Sequence, residues 1–163
     1  MRTRFHCLTK TEAMPRFNRK PKDMETFRKL LKQHGLKATA QRIAVHGVMM
    51  EMIHATAESV YDKIKNDGSC KITQSSVYNI LTSLADEGIY GRRLSANNKM
   101  YFDINSYRHA HLYDTRNHVF VDVEADEMLA SAEQGLKRRR FRGYKIDDFE
   151  VLILCHPTRK KLL

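Results

Sequence analysis

Between Asp23 and Gly88 the chain carries four amphipathic helical patterns in close succession, each opened by a capping residue, leaving room for little besides a helical domain. Asp23 can cap the first; Phe27, Leu30 and Leu31 share one face, and Gly35 suits the left-handed position that follows a helix. Thr39 opens the second, which carries Ile43, Val48, Met49 and Met52 and ends before His54. Thr56 caps the third, where Ala57, Val60, Tyr61 and Ile64 fall at the spacing of a buried stripe and Gly68 is the stop. Thr73 begins the fourth, with Val77, Ile80, Leu81 and Leu84 as its stripe and Gly88 as its end.

The outward side of that fourth helix presents Gln74, Ser75, Tyr78, Asn79 and Thr82, with no acid until Asp86 and Glu87. A solvated helix usually mixes charges there. A helix that enters a DNA groove must keep carboxylates away from phosphate and offer amides and hydroxyls to base edges. Next come two short extended runs, Ile89 to Leu94 and Lys99 to Ile104, joined by Ser95-Ala96-Asn97-Asn98, which read as a hairpin. Helices followed by a hairpin bearing Arg92, Arg93 and Lys99 make a winged helix-turn-helix over residues 23–104, with the wing's cations expected to meet phosphates.

The formal charge of +10 favours polyanionic partners. Residues 1–22 hold seven cations and no apolar core of signal-peptide length, so they are expected to form a flexible basic arm, and residues 158–163 a short tail. No apolar run is long enough to span a bilayer, which excludes a membrane-embedded reading. Cys7, Cys70 and Cys155 are odd in number and far apart, which argues against a disulfide framework and against a cysteine zinc knuckle. A cytoplasmic location fits that usage.

After Ser106 the pattern changes. Val119, Val121 and Val123 alternate with His118, Phe120 and Asp122 as on a two-faced strand, Ala125 to about Arg140 reads as a helix, and Phe149 to Cys155 reads as an apolar strand. The fold class is therefore α+β: a winged helix followed by a small α/β domain over residues 105–157. That second unit is too small to bury its apolar surface well alone, so a homodimer is expected. Within it, His109 and His111 are two apart on an extended segment and point the same way. Asp103 closes the hairpin, Asp122 lies on the next strand, and His54, expected in the loop before helix three, joins them if that loop faces the junction. Histidine with carboxylate suits iron, manganese or zinc.

The segments GLKATAQR, HATAESVYDKI, ITQSSVYNILTSLADEGI and HAHLYD occur in the order and spacing of ferric uptake regulators, and the chain resembles that family from about Asp23 to Cys155. The resemblance implies a metal-dependent repressor, not an enzyme, that binds double-stranded DNA at a palindromic operator as a homodimer. It places a regulatory metal on His54, Asp103, His109, His111 and Asp122, ferrous iron favoured and manganese or zinc accepted; because Arg108, Ala110 and Phe149 stand where many relatives carry the ligands of another site, one divalent ion per subunit is expected. It also makes Lys37 and Arg42 backbone or minor-groove contacts and Tyr78 a base contact. Asn79 stands where the family usually has arginine, which bears on operator preference. Asp114 and Asn117 occupy the positions of the first of two cysteine pairs that hold a structural zinc in many relatives, so no cysteine-bound zinc is expected. Three alternatives stay open: a peroxide-sensing repressor of the same family, a metallohydrolase built on the same histidines and aspartates, and a winged-helix protein without metal.

Overall fold

The computed structural model describes residues 23–158; the basic arm of residues 1–22, Cys7 and the tail from residue 159 lie outside the described residues. Four helices come first: α1 (Met24–Gln33), α2 (Ala40–Met52), α3 (Ala57–Asp67) and α4 (Gln74–Asp86). Each begins where the sequence places a cap. The side chains of Asp23, Thr39, Thr56 and Thr73 accept from the amides of Thr26, Arg42, Ser59 and Ser76, and Thr56 and Ser59 complete a reciprocal capping box. Capping at Thr73 sets where α4 starts, and hence which residues its outer face shows. Thr73→Ala is expected to lower stability by about 1 kcal/mol, with Thr73→Ser near wild type, as read by urea denaturation.

The helices enclose one core. Phe27, Leu31, Val45, Met49, Val60, Ile64, Val77, Leu81 and Leu84 are fully buried, and Phe102 and Ile104 seal it from the wing. His46 is buried there too, stacked on Phe27 with ring centroids 3.8 Å apart and its Nδ1 2.7 Å from the Tyr90 hydroxyl. This histidine belongs to the core.

Three strands form the wing sheet: β1 (His54–Thr56), β2 (Gly91–Leu94) and β3 (Met100–Asp103), in the antiparallel order β1-β3-β2. The hairpin and its Ser95–Lys99 turn match the sequence reading, with Asn98 at φ 59°. His54 does not lie in a loop as expected. Residues 54–56 are extended and pair with β3, so His54 stands opposite Asp103. Ile53, just before it, holds φ 62° and ψ −58°, a costly conformation for a β-branched residue, secured by a 3.0 Å bond from the Ile104 amide to its carbonyl.

The second sheet has β4 (Ala110–Asp114), β5 (Val119–Val123) and β6 (Val151–Cys155) in the order β5-β4-β6, with β4 antiparallel to β5 and parallel to β6. Its buried side is not the valine side. Phe120 and Asp122 point inward with His111 and Tyr113, whereas Val119 is exposed and Val121 and Val123 are half-buried. The inward face turns toward the wing, where β1 and β5 meet. Helix α5 (Asp126–Lys137) begins without a side-chain cap and ends before Arg138–Arg140, slightly short of the expected end. Among the described residues no helix is long and apolar enough to cross a membrane.

Candidate functional site

Strand register assembles the centre. His54 faces Asp103 across β1 and β3, and His111 faces Asp122 across β4 and β5, so each sheet delivers one histidine and one aspartate in matched positions. His109 stands immediately before β4, with its ring centroid 4.1 Å from that of His111, the side-by-side placement expected for residues two apart on extended chain. All five residues offer a donor atom within 4.8 Å of every other. Oδ1 of Asp122 lies 2.9 Å from Nε2 of both His54 and His109 and 3.4 Å from that of His111; Oδ2 of Asp103 lies 3.3, 3.2 and 3.2 Å from Nε2 of His54, His109 and His111.

Ligands bound about 2.1 Å from a common ion sit roughly 3 Å from one another, which is the spacing seen here. For a divalent metal the donor set fits in number, type and distance. His54 Nε2 is buried and makes no directional hydrogen bond, although both carboxylates are close. A cation at the focus would satisfy it.

The shell around these atoms holds them in place. Asn105, which sequence reasoning missed, donates its amide N–H to Asp103 Oδ1 at 2.7 Å and its side-chain nitrogen to Asp122 Oδ2 at 2.9 Å. Each aspartate thus spends one oxygen on Asn105 and aims the other at the histidines. His109 donates from Nδ1 to the Tyr107 carbonyl at 2.7 Å, which turns Nε2 toward the two aspartates. Gly91 faces Asp103 from β2, where a Cβ would sit 3.3 Å from the Asn105 carbonyl oxygen and 3.4 Å from Asp103 Cβ, so a bare α-carbon lets the strand approach.

Arg93 is a correction. Expected on the wing's outer side, it turns inward: its side chain is only 13% exposed, with Nη1 2.8 Å from His111 Nδ1, Nη2 3.6 Å from Asp103 Oδ2, and an ion pair to Glu150. A strand sends alternate side chains to opposite faces, so Arg92 and Arg93 could not both face phosphate. Neither Asn105 nor Glu150 had a sequence signal, since their meaning comes only from pairing across the junction.

Burial works against charged histidines and charged aspartates alike, but their mutual contacts outweigh it at most positions. Burial lowers the His109 pKa, yet the bonds to Asp103 and Asp122 carry it up to about 9. His54 is raised by the same two carboxylates against burial. Both aspartates, despite burial, are held well below the usual carboxylate range by the histidines. His111 goes the other way, down to about 4, through burial and the charges of Arg93 and its fellow histidines. Since His109 is raised above its ordinary value near 6.5, its contribution to metal-free stability is complete below that pH and is lost as pH rises through about 9. Metal must displace that proton. Metal affinity is therefore expected to rise between pH 6.5 and 9, with proton release on binding, measurable by calorimetry in buffers of different ionisation enthalpy.

On the other side of the first domain, Gln74, Ser75, Tyr78 and Asn79 form one exposed surface, with Tyr78 47% exposed and its ring set edge-on to Phe102. Lys37 is exposed, and Arg42 donates to the Lys37 carbonyl at 2.8 Å. Arg92 faces outward, paired with Asp86 at 2.8 Å, and Lys99 pairs with Glu58 at 3.2 Å.

A four-helix unit with a wing sheet, joined to a second sheet and with three histidines and two aspartates gathered between them, is the architecture of a metal-responsive regulator. The chain belongs to the ferric uptake regulator family, whose profile matches residues 33–153. Solved structures with the same fold include the following three. The Vibrio cholerae ferric uptake regulator is 22% identical with a TM-score of 0.67, covering 80% of this chain and 99% of its own. The Pseudomonas aeruginosa ferric uptake regulator with manganese is 20% identical with a TM-score of 0.64, covering 80% and 97%. The Campylobacter jejuni peroxide stress regulator is 25% identical with a TM-score of 0.61, covering 82% and 97%. No curated protein matches the sequence.

Proposed function

We propose that this family member is a cytoplasmic, metal-responsive transcriptional repressor, not an enzyme, that binds a palindromic duplex as a homodimer when one divalent ion occupies the His54, Asp103, His109, His111 and Asp122 centre of each subunit. The observation that carries this reading is the convergence of five donor atoms from both sheets on one focus. An ion there ties the wing sheet to the second sheet, and so biases how the recognition helix is presented. Ferrous iron is the proposed physiological ion, with manganese and zinc able to take its place on the same nitrogen and oxygen donors. Buried ligands suit a closed regulatory site better than an open catalytic one.

In the proposed complex Gln74, Ser75, Tyr78 and Asn79 read base edges, and Lys37, Arg42 and Arg92 hold phosphates. The proposed domain limits are residues 23–104 for DNA binding and 105–157 for dimerisation. Exposed Leu152 and Leu154, two apart on the edge strand β6 and so on one face, support a partner subunit covering that strand. We assign no cysteine-bound zinc to the Asp114–Asn117 turn. Asp114 accepts there from the amides of Arg116 and Asn117, and Thr115 is tied to the Cys155 carbonyl by bonds of 2.9 and 3.0 Å from its amide and hydroxyl.

Selection of a binding duplex from random DNA, followed by affinity measurement with manganese and with chelator, tests the repressor reading. Metal is expected to tighten binding by about five- to 150-fold. Equal affinity in both conditions rejects it. A second reading, peroxide sensing through bound iron, draws support from aspartate at both carboxylate positions and from the likeness to a peroxide stress regulator. Mass spectrometry of iron-loaded protein after peroxide separates the two: added oxygen on His54 or His109 supports sensing, and unmodified histidines count against it.

A further inference from the structure

The two nitrogens of His111 face opposite demands. Nε2 points into the donor cluster, 3.2 Å from Asp103 Oδ2, while Nδ1 lies 2.8 Å from Nη1 of Arg93. A guanidinium can only donate, so this contact needs a lone pair on Nδ1. The proton of the neutral ring then sits on Nε2, the atom that must ligate. His109 is arranged the other way, because the Tyr107 carbonyl can only accept and keeps the proton on Nδ1. In its neutral form His109 therefore offers Nε2 to a metal, whereas neutral His111 keeps a proton there.

Arg93 is held in this position on several sides. Its carbon Cζ lies 5.5 Å from the Phe120 ring centroid, Nη2 lies 3.6 Å from Asp103 Oδ2, and it pairs with Glu150, just before β6. Glu150 Oε1 is itself 3.9 Å from His111 Nδ1. An acceptor therefore stands beside the arginine, within a small movement of the same nitrogen.

We propose that Arg93 and Glu150 form a tautomer switch on His111 that sets how tightly the centre holds its metal. The proposal rests on the metal-centre reading above. Without metal, Arg93 keeps the imidazole in its non-ligating form and places a positive charge beside Asp103. When a divalent ion binds, Nε2 gives up its proton to solvent and Nδ1 takes one from solvent, so the ring's proton count is unchanged. Arg93 releases Nδ1, and Glu150 accepts the new N–H. Charge balance follows the same logic: Arg93 and Glu150 cancel, leaving two aspartates to neutralise one divalent ion.

Arg93 is thus a brake on metal binding and Glu150 relieves it. In competition with a chromophoric chelator, R93Q is expected to bind zinc about tenfold more tightly than wild type, because glutamine can accept from Nδ1–H and carries no charge. E150Q, changed at a half-exposed carboxylate and so expected to keep the fold, should bind about tenfold more weakly. Long-range proton–nitrogen correlation spectra of the histidine rings supply a readout that a merely structural role would not move. His111 should carry its proton on Nε2 without zinc and on Nδ1 with it. R93Q binding zinc no more tightly than wild type, or a His111 already protonated on Nδ1 in the metal-free chain, overturns the switch alone. Zinc affinity indifferent to His109→Ala overturns the metal-centre reading and the switch with it.

Discussion

Asp103→Ala is expected to abolish tight metal binding and, at pH 6 in chelator, to cost the metal-free protein about 3 to 5 kcal/mol in urea denaturation. Asp103 is 1% exposed and lies within 3.6 Å of three histidines and Arg93, so it is the anion around which the junction is built. Removing it leaves protonated His109 buried against Asp122 alone, and takes from the Arg93 guanidinium one of its two carboxylate neighbours, Glu150 being the other. The loss should shrink toward pH 9, because His109, whose pKa stands at about 9 in the intact protein, then sheds its charge. A metal-specific effect would show no such pH dependence in chelator. The metal affinity itself should fall by at least about a hundredfold, since a direct ligand matters more than the outer groups that tune it.

Tyr78→Ala should weaken duplex binding by about 1 to 3 kcal/mol while leaving the melting temperature and metal affinity near wild type. Its ring is half exposed and meets Phe102 edge-on, so little of the core depends on it. The wing gives a sharper comparison. Arg92→Gln should reduce the salt slope of binding by about one, the signature of a lost phosphate contact. Arg93→Gln should leave that slope unchanged, because its guanidinium faces the histidines. Equal slopes for both variants would place Arg93 on the DNA after all.

The helical half of the fold was readable because its signals are local. Thr39, Thr56 and Thr73 cap where they stand, Gly35 adopts the left-handed backbone expected of it, the stops Gly68 and Gly88 do the same, and the apolar stripes point inward. Such signals need no knowledge of distant residues. Strand β1 escaped notice because three residues carry no period, and it exists only through pairing with β3. The inward side of β5 was undecided for a related reason: valine ordinarily marks a buried face, but here Phe120 and Asp122 take it because the junction needs a carboxylate.

The five candidate ligands were named from residue type, spacing and likeness to a family. Their surroundings could not be. Asn105 gains its role by bridging two aspartates separated in sequence, and Arg93 and Glu150 meet only when β2 and β6 are brought to the same histidine. Outer groups around a metal are set by tertiary geometry, and polar residues of that kind look like ordinary surface until the chain is folded.

The central claim is that metal at the sheet junction and DNA on the recognition helix are coupled, and linkage makes that claim reciprocal. The most direct test is the manganese affinity of the wild-type chain measured twice, alone and with saturating selected duplex, by competition with a chelator. The account predicts that duplex tightens manganese binding by the same factor, about five- to 150-fold, by which manganese tightens duplex binding. Identical manganese affinity with and without duplex would contradict it.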